Sequence, residues 1–141
     1  MRKVIEVESY RKRGIIEGLD TKVKLQTLWI FAVLNMAYAD IHMLFDKSIV
    51  ASLSQGALLG SAVLMETAIV MVLLSRILPY RSNRWANIVI GLINTLAVLA
   101  SLFVGTPHAY YIFFAVIEIA ATLAIIWIAW TWPKPEVSPS T

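Results

Sequence analysis

A chain of 141 residues has the length of one domain, and its 59% hydrophobic and 15% charged side chains set it apart from soluble domains, which carry roughly 25% charge. A formal charge of +3 does not make a nucleic-acid face here, because lysine and arginine sit almost wholly outside the apolar runs. The absence of cysteine excludes disulfides, thiolate metal sites and a cysteine nucleophile.

Residues 1–24 form a basic lead. Arg2, Lys3, Arg11, Lys12, Arg13, Lys22 and Lys24 are mixed there with Val4, Ile5, Val7, Ile15, Ile16 and Leu19. This mixture suits a short surface helix on anionic lipid. Gly14 and Gly18 weigh against a helix, so a loosely ordered basic lead is the other reading. The first apolar run has no small-residue cleavage pattern and reads as a retained span rather than a signal peptide.

Four apolar runs follow: Leu25–Phe45, Gln55–Leu78, Trp85–Val104 and Pro107–Trp132. A bilayer core takes about 20 apolar residues as a helix, and a backbone in lipid must satisfy its own hydrogen bonds. Each run is therefore expected to be a spanning helix. Asp46-Lys47-Ser48 ends the first run, and Pro79 follows the second. Ser82 or Asn83 is placed to cap the third, and Gly105 ends it. Thr106-Pro107 reads as an N-cap with proline in the first helical position. Pro133 and Pro135 stop the fourth run, and residues 133–141 read as a disordered tail. The predicted organisation is a lead (1–24), an all-α, antiparallel four-transmembrane-helix bundle (25–132) and a tail.

Orientation follows from the basic residues. The lead, Arg76, Arg81, Arg84 and Lys134 lie on one side, and only Lys47 lies on the other, which places both termini in the cytoplasm. Tyr80, Trp85, Trp130 and Trp132 fall at the inner interface, and Tyr110 and Tyr111 at the outer one.

The informative side chains are those least suited to lipid. Asn35, Glu66, Asn94 and Glu118 each fall near the middle of one run, so each predicted helix brings one strongly polar group to a similar depth. Asp40 and His42 lie nearer the outer surface. Helical phase groups Asn87, Gly91, Asn94 and Ser101 on one face, Tyr111, Ala115, Glu118 and Thr122 on another, and Asn35, Tyr38 and His42 on a third; Asp40 points away from that last stripe. A charged carboxylate at the bilayer centre costs about 2.5–3.5 kcal/mol on insertion scales. Glu66 and Glu118 are therefore expected to face inward, with Asn35 and Asn94 as partners and at least one of the two acids protonated near neutral pH. The plainer reading of the asparagines is interhelical hydrogen bonding, worth about 0.6 kcal/mol per bond. His108 reads as interfacial. Gly56 and Gly60 allow close helix approach near the outer end of the second run, with contact inside the bundle favoured over dimerisation. No spacing on any helix suits a metal ion.

The segments Leu25–Phe31 (LQTLWIF), Tyr38–Asp40 (YAD), Gln55–Glu66 (QGALLGSAVLME), Met71–Asn87 (MVLLSRILPYRSNRWAN) and Gly105–Phe114 (GTPHAYYIFF) resemble an uncharacterised family of short prokaryotic four-helix membrane proteins, a domain of unknown function. The resemblance covers roughly 25–132 and implies a multi-pass protein of the prokaryotic inner membrane, without an activity or functional residues. At the level of fold alone, four helices with inward acids are similar to DoxX-like and sterol-isomerase-like bundles.

The first expectation is binding or carriage of a small amphiphile in an intrabundle pocket. Glu66 and Glu118 would anchor it, oriented by Asn35 and Asn94 and flanked by Asp40, His42 and Tyr111. The alternatives are proton-linked transport or channel activity by a homo-oligomer, a membrane isomerase with one acid and one base, and an accessory subunit. With no nucleophile, metal cluster or phosphate loop, the balance is against an enzyme. No cofactor and no nucleic-acid partner are expected; membrane lipid is.

Overall fold

The computed structural model describes residues 2–103 and 107–134. Over those residues the chain is all-α: α1 spans Arg2–Met43, α2 Lys47–Ser52, α3 Gln55–Ile77, α4 Tyr80–Ser101 and α5 Ala109–Thr131. Three of these helices, α3, α4 and α5, are long and apolar enough to cross a membrane, and they point to membrane association. The apolar part of α1 is diluted by Gln26, Asn35, Asp40 and His42 and does not match them in composition.

The largest departure from expectation is α1. Its 42 residues run unbroken from the basic lead into the first apolar run, a rod of roughly 63 Å at about 1.5 Å per residue. Most of the lead is exposed, and nothing lies near the Cα of Gly14 or Gly18 that a side chain would meet. Each glycine costs about 1 kcal/mol relative to alanine in a helix. Long-chain helix formers and i,i+4 pairs such as Asp20–Lys24 carry the helix through them. The lead continues the helix of the first run and does not turn aside as a separate surface element.

The connections obey local chemistry. Asp46 has extended backbone, and its Oδ1 accepts from the backbone N–H of Ser48 (3.0 Å) and Ile49 (3.3 Å). The residue expected to stop the first helix therefore starts α2. Ser54 caps α3 by accepting from Ala57 N at 3.1 Å. At the other end, Pro79 is the N-cap of α4, which begins at Tyr80 rather than Trp85. Proline's fixed φ suits a helix start, and it places Ser82 and Asn83 inside the helix rather than at its cap. His108 is the N-cap of α5, so Pro107 precedes the helix instead of opening it. Trp132 is its C-cap, one residue past the last helical turn. The expected helix end at Val104–Gly105, the cap at Thr106 and the tail from Pro135 lie outside the described residues.

α1 packs on α3 and α5, and α4 packs on the same two helices. The four long helices thus close a ring with α1 and α4 across the diagonal. Leu25, Trp29, Ala32 and Met36 recur at i, i+4, i+7 and i+11, and all four are buried. They join Ala68, Met71, Ile125, Ala129 and Trp132 in a core at the end where α3 stops and α4 starts. At α4–α5, Gly91 permits close approach: a Cβ there would lie 2.9 Å from Cγ1 of Ile126. The outside of the ring is hydrocarbon, with Leu34, Leu59, Leu73 and Trp127 all more than 60% exposed. A soluble surface does not tolerate so continuous an apolar belt.

Candidate functional site

Two polar layers cross the ring. The inner one centres on Asn87 of α4. Its Oδ1 accepts from Trp29 Nε1 (2.7 Å) and Ser75 Oγ (3.1 Å). Its Nδ2 donates to Asn83 O (2.8 Å) and Asn83 Oδ1 (2.6 Å). Asn83 Nδ2 donates in turn to Ser75 O at 2.7 Å. Asn83, Asn87 and Ser75 are fully buried, and the bonds link α1, α3 and α4. Every polar group of this layer named here has a partner, so the layer reads as structural. It is also the feature that sequence reasoning missed. The signal was present in the spacing Asn83, Asn87, Gly91, Asn94, which keeps one face of α4 polar or small for three turns.

The outer layer is different in kind. Asn94 is buried on α4, and its Nδ2 donates to Ile90 O (3.0 Å) and Thr67 Oγ1 (3.4 Å), while its Oδ1 has no donor. Glu118 is buried on α5, and among the described residues neither its Oε1 nor Asn94 Oδ1 has a hydrogen-bond partner. Thr95, next to Asn94, donates to Thr122 Oγ1 at 2.7 Å. Thr122 lies one turn from Glu118 and donates to its carbonyl at 3.0 Å. The two unpartnered atoms are thus carried on adjoining helices around a threonine clasp. Both accept hydrogen bonds, and burial without a donor is costly for such atoms.

The stripe on α1 meets α5 at Phe114 and Tyr110. Asn35 Nδ2 donates to Phe114 O at 3.0 Å. The Tyr38 and His42 rings lie 5.9 and 5.2 Å from the Phe114 ring. Asn35 therefore ties α1 to α5 and supplies neither glutamate with a hydrogen bond. His42 also packs near Tyr110, and its Nδ1 is 3.0 Å from Tyr38 O. Tyr111 shares a short hydrogen bond with Ser101, closing α4 on α5 nearer the outer end. Asp40 is exposed, and its carboxylate is near enough to Glu118 for the two charges to repel.

Glu66 does not join the outer layer. The buried residues of α3 are Ala68, Met71 and Ser75, and Glu66 sits on the opposite, exposed face. The expectation of two glutamates facing inward together is corrected to one, Glu118. Gly56 and Gly60 are likewise exposed and approach no other helix, so they do not mediate contact inside the ring.

An open cleft of about 590 Å³ at the end where α1 gives way to α2 is lined by His42, Phe45, Asp46, Lys47, Ser48 and Tyr110. His108 lies beside it, with Nε2 3.7 Å from Asp46 Oδ2. The Ser48 hydroxyl, the capping amides and His108 hold the Asp46 carboxyl below its usual pKa. A second groove of about 270 Å³ lies between α1 and α3 and is lined by Gln26, Ile30, Val33, Leu34, Ile69, Val72 and Leu73. Neither Glu66 nor Glu118 lines either one. Among the described residues, no group of three His, Asp or Glu side chains is placed to hold a metal ion.

No curated protein and no solved structure matches the chain, so the likeness to DoxX-like and sterol-isomerase-like bundles carries no argument. One family model does match, over residues 15–139, which covers most of α1 and all of α2 to α5. By that match the chain belongs to a family of unknown function (DUF6326).

Proposed function

We propose that the chain crosses a prokaryotic inner membrane four times, with both termini cytoplasmic, and binds a small amphiphile whose polar end sits between Glu118 and Asn94. Support for the fourth crossing comes from the last 19 residues of α1, Leu25–Met43, which extend roughly 28 Å at about 1.5 Å per residue. They occupy one side of a ring whose other three sides are apolar helices. Two of the residues that dilute this segment, Asn35 and His42, turn toward α5 rather than lipid, and Gln26 lines the groove between α1 and α3. Eleven of the twelve basic residues fall on the lead, at the α3–α4 turn and at Lys134, and Lys47 alone falls on the other side, as a cytoplasmic side requires. Because the natural chain has no cysteine, topology is testable with single replacements at Ser9, Ser48 and Ser82. Ser48→Cys in intact cells should react with an impermeant maleimide, and Ser9→Cys and Ser82→Cys only after permeabilisation. Labelling of all three from one side would remove the topology.

The observation that carries the binding reading is the pair of buried acceptors without donors, Glu118 Oε1 and Asn94 Oδ1. A hydroxyl or amine complements both, and the hydrocarbon around them favours a ligand that is otherwise apolar. Thermal unfolding in detergent tests this with fatty alcohols, a quinol and a total lipid extract as probes. One of them should raise the transition temperature of the wild type and of Glu66→Gln, and the rise should vanish in Glu118→Leu and Asn94→Leu. Stabilisation by no probe, or a rise indifferent to both substitutions, would overturn the reading.

A second reading takes the proton itself as the missing donor. It is favoured by the fact that neither cleft is lined by Glu118. On that reading purified protein conducts protons in liposomes, and Glu118→Gln abolishes the flux. Flux unchanged in Glu118→Gln dismisses it.

A further inference from the structure

We propose that α3 is the contact between two copies of this chain, joined around Glu66, with the two carboxyl groups facing each other across an axis normal to the membrane. The proposal rests on the membrane-spanning reading of α3 and is independent of the ligand reading at Glu118.

Glu66 is the twelfth of the 23 residues of α3, so it lies at the helix midpoint. It shares a face with Leu59, Ala62, Leu73 and Ile77, which lie seven, four, seven and eleven residues from it. Leu59 is 67% exposed, and Leu73 and Ile77 are 61% exposed each. This face therefore points straight out of the ring, and Glu66 is the one ionisable group on it. A carboxyl in that position cannot remain against hydrocarbon without a partner.

The rest of the chain says which partner fits. Over the middle turns of the other helices, residues 30–37, 86–96 and 115–125, every exposed side chain is a hydrocarbon, Leu34, Ile93 and Leu123 among them. Of the other exposed carboxylates, Asp40 comes nearest, three residues beyond the first of these stretches. The complement that another copy offers is its own Glu66. A carboxyl that carries its proton both donates and accepts, so it is complementary to itself. Two-fold contacts match a residue with the same residue on the partner, and two copies inserted in the same sense place their Glu66 residues at equal depth.

The test uses the cysteine-free chain purified into liposomes, so that no other protein is present. Single cysteines replace Leu59, Ala62 or Leu73 on α3, and Leu96 or Leu123 on the outward faces of α4 and α5. Insertion is checked first with Ser48→Cys and Ser82→Cys labelling, which separates failure of the dimer from failure of the topology. Mild oxidation should link the α3 variants into chains of double mass about ten-fold more than the α4 and α5 variants, and should keep doing so as lipid is added. Glu66→Gln should retain the links, since an amide also donates and accepts. Glu66→Leu should lose most of them while keeping a wild-type circular dichroism spectrum. Equal linking at all positions, or linking at α3 undiminished in Glu66→Leu, would overturn the proposal.

Discussion

Asn87→Leu should loosen the ring more than any other single polar replacement. The side chain makes two bonds to other helices, from Trp29 Nε1 and Ser75 Oγ, and two within α4 to Asn83. Interhelical bonds in membranes contribute about 0.6 kcal/mol each on average, so the two together account for about 1.2 kcal/mol. Leucine also strands the indole N–H of Trp29, which is fully buried, and an unmet buried donor costs about 1–3 kcal/mol. The sum is a loss of about 2–4 kcal/mol, to be measured by sodium dodecyl sulfate titration in mixed micelles with helicity as the readout. Trp29→Phe removes the donor as well as some volume, so a double-mutant cycle is needed to isolate the bond. With Trp29→Phe already in place, Asn87→Leu should cost about 1 kcal/mol less than it does alone. Unfolding of Asn87→Leu within about 0.5 kcal/mol of wild type, or strict additivity in the cycle, would refute the view that this layer ties α1 to α4.

Gly91→Leu should destabilise the ring by about 1–3 kcal/mol in the same titration, because the added side chain enters the space of Ile126. Gly91→Ala should cost less, its clash being offset by about 1 kcal/mol of helix propensity, and Ile126→Ala should rescue it. Tyr80 Oη donates to Trp132 O (2.9 Å) and Arg84 Nη2 to Trp130 O (3.0 Å); Tyr80→Phe and Arg84→Ala should each cost about 0.5–1.5 kcal/mol and speed amide exchange in the last turn of α5. Asp46 has a carboxyl pKa lowered in the folded chain, so its capping contribution is complete above the unfolded value of about 3.9 and is lost as pH falls through the lower folded value. Protection of the Ser48 and Ile49 amides, measured relative to their intrinsic exchange at each pH, should therefore be full at neutral pH and fall only in strong acid, a response that Asp46→Asn should abolish.

The sequence made the inward faces of α4 and α5 legible because several polar or small residues repeat on each. Asn87, Gly91 and Asn94 define one direction, and Ala115, Glu118 and Thr122 another. α3 offers no such redundancy. Its one ionisable midpoint residue invites an inward placement, yet the buried face is written in Ala68, Met71 and Ser75 and looks no more polar than the face opposite. A solvent penalty alone says that Glu66 needs a partner, not that the partner lies within the same chain. Asn83 was misread for another reason. A residue just after a proline and before an apolar run looks like a cap, but Pro79 had already begun the helix. The lead was legible in charge and not in shape, since Gly14 and Gly18 weigh against a helix that the surrounding residues sustain.

The unbroken course of α1 means that no joint separates the basic lead from the apolar run that follows it. Residues that protrude on one side and the Tyr38–His42 turn that presses on Phe114 belong to a single shaft. A torque or tilt applied at the free end is delivered at the far end, with Gly14 and Gly18 as the most pliant points along the way.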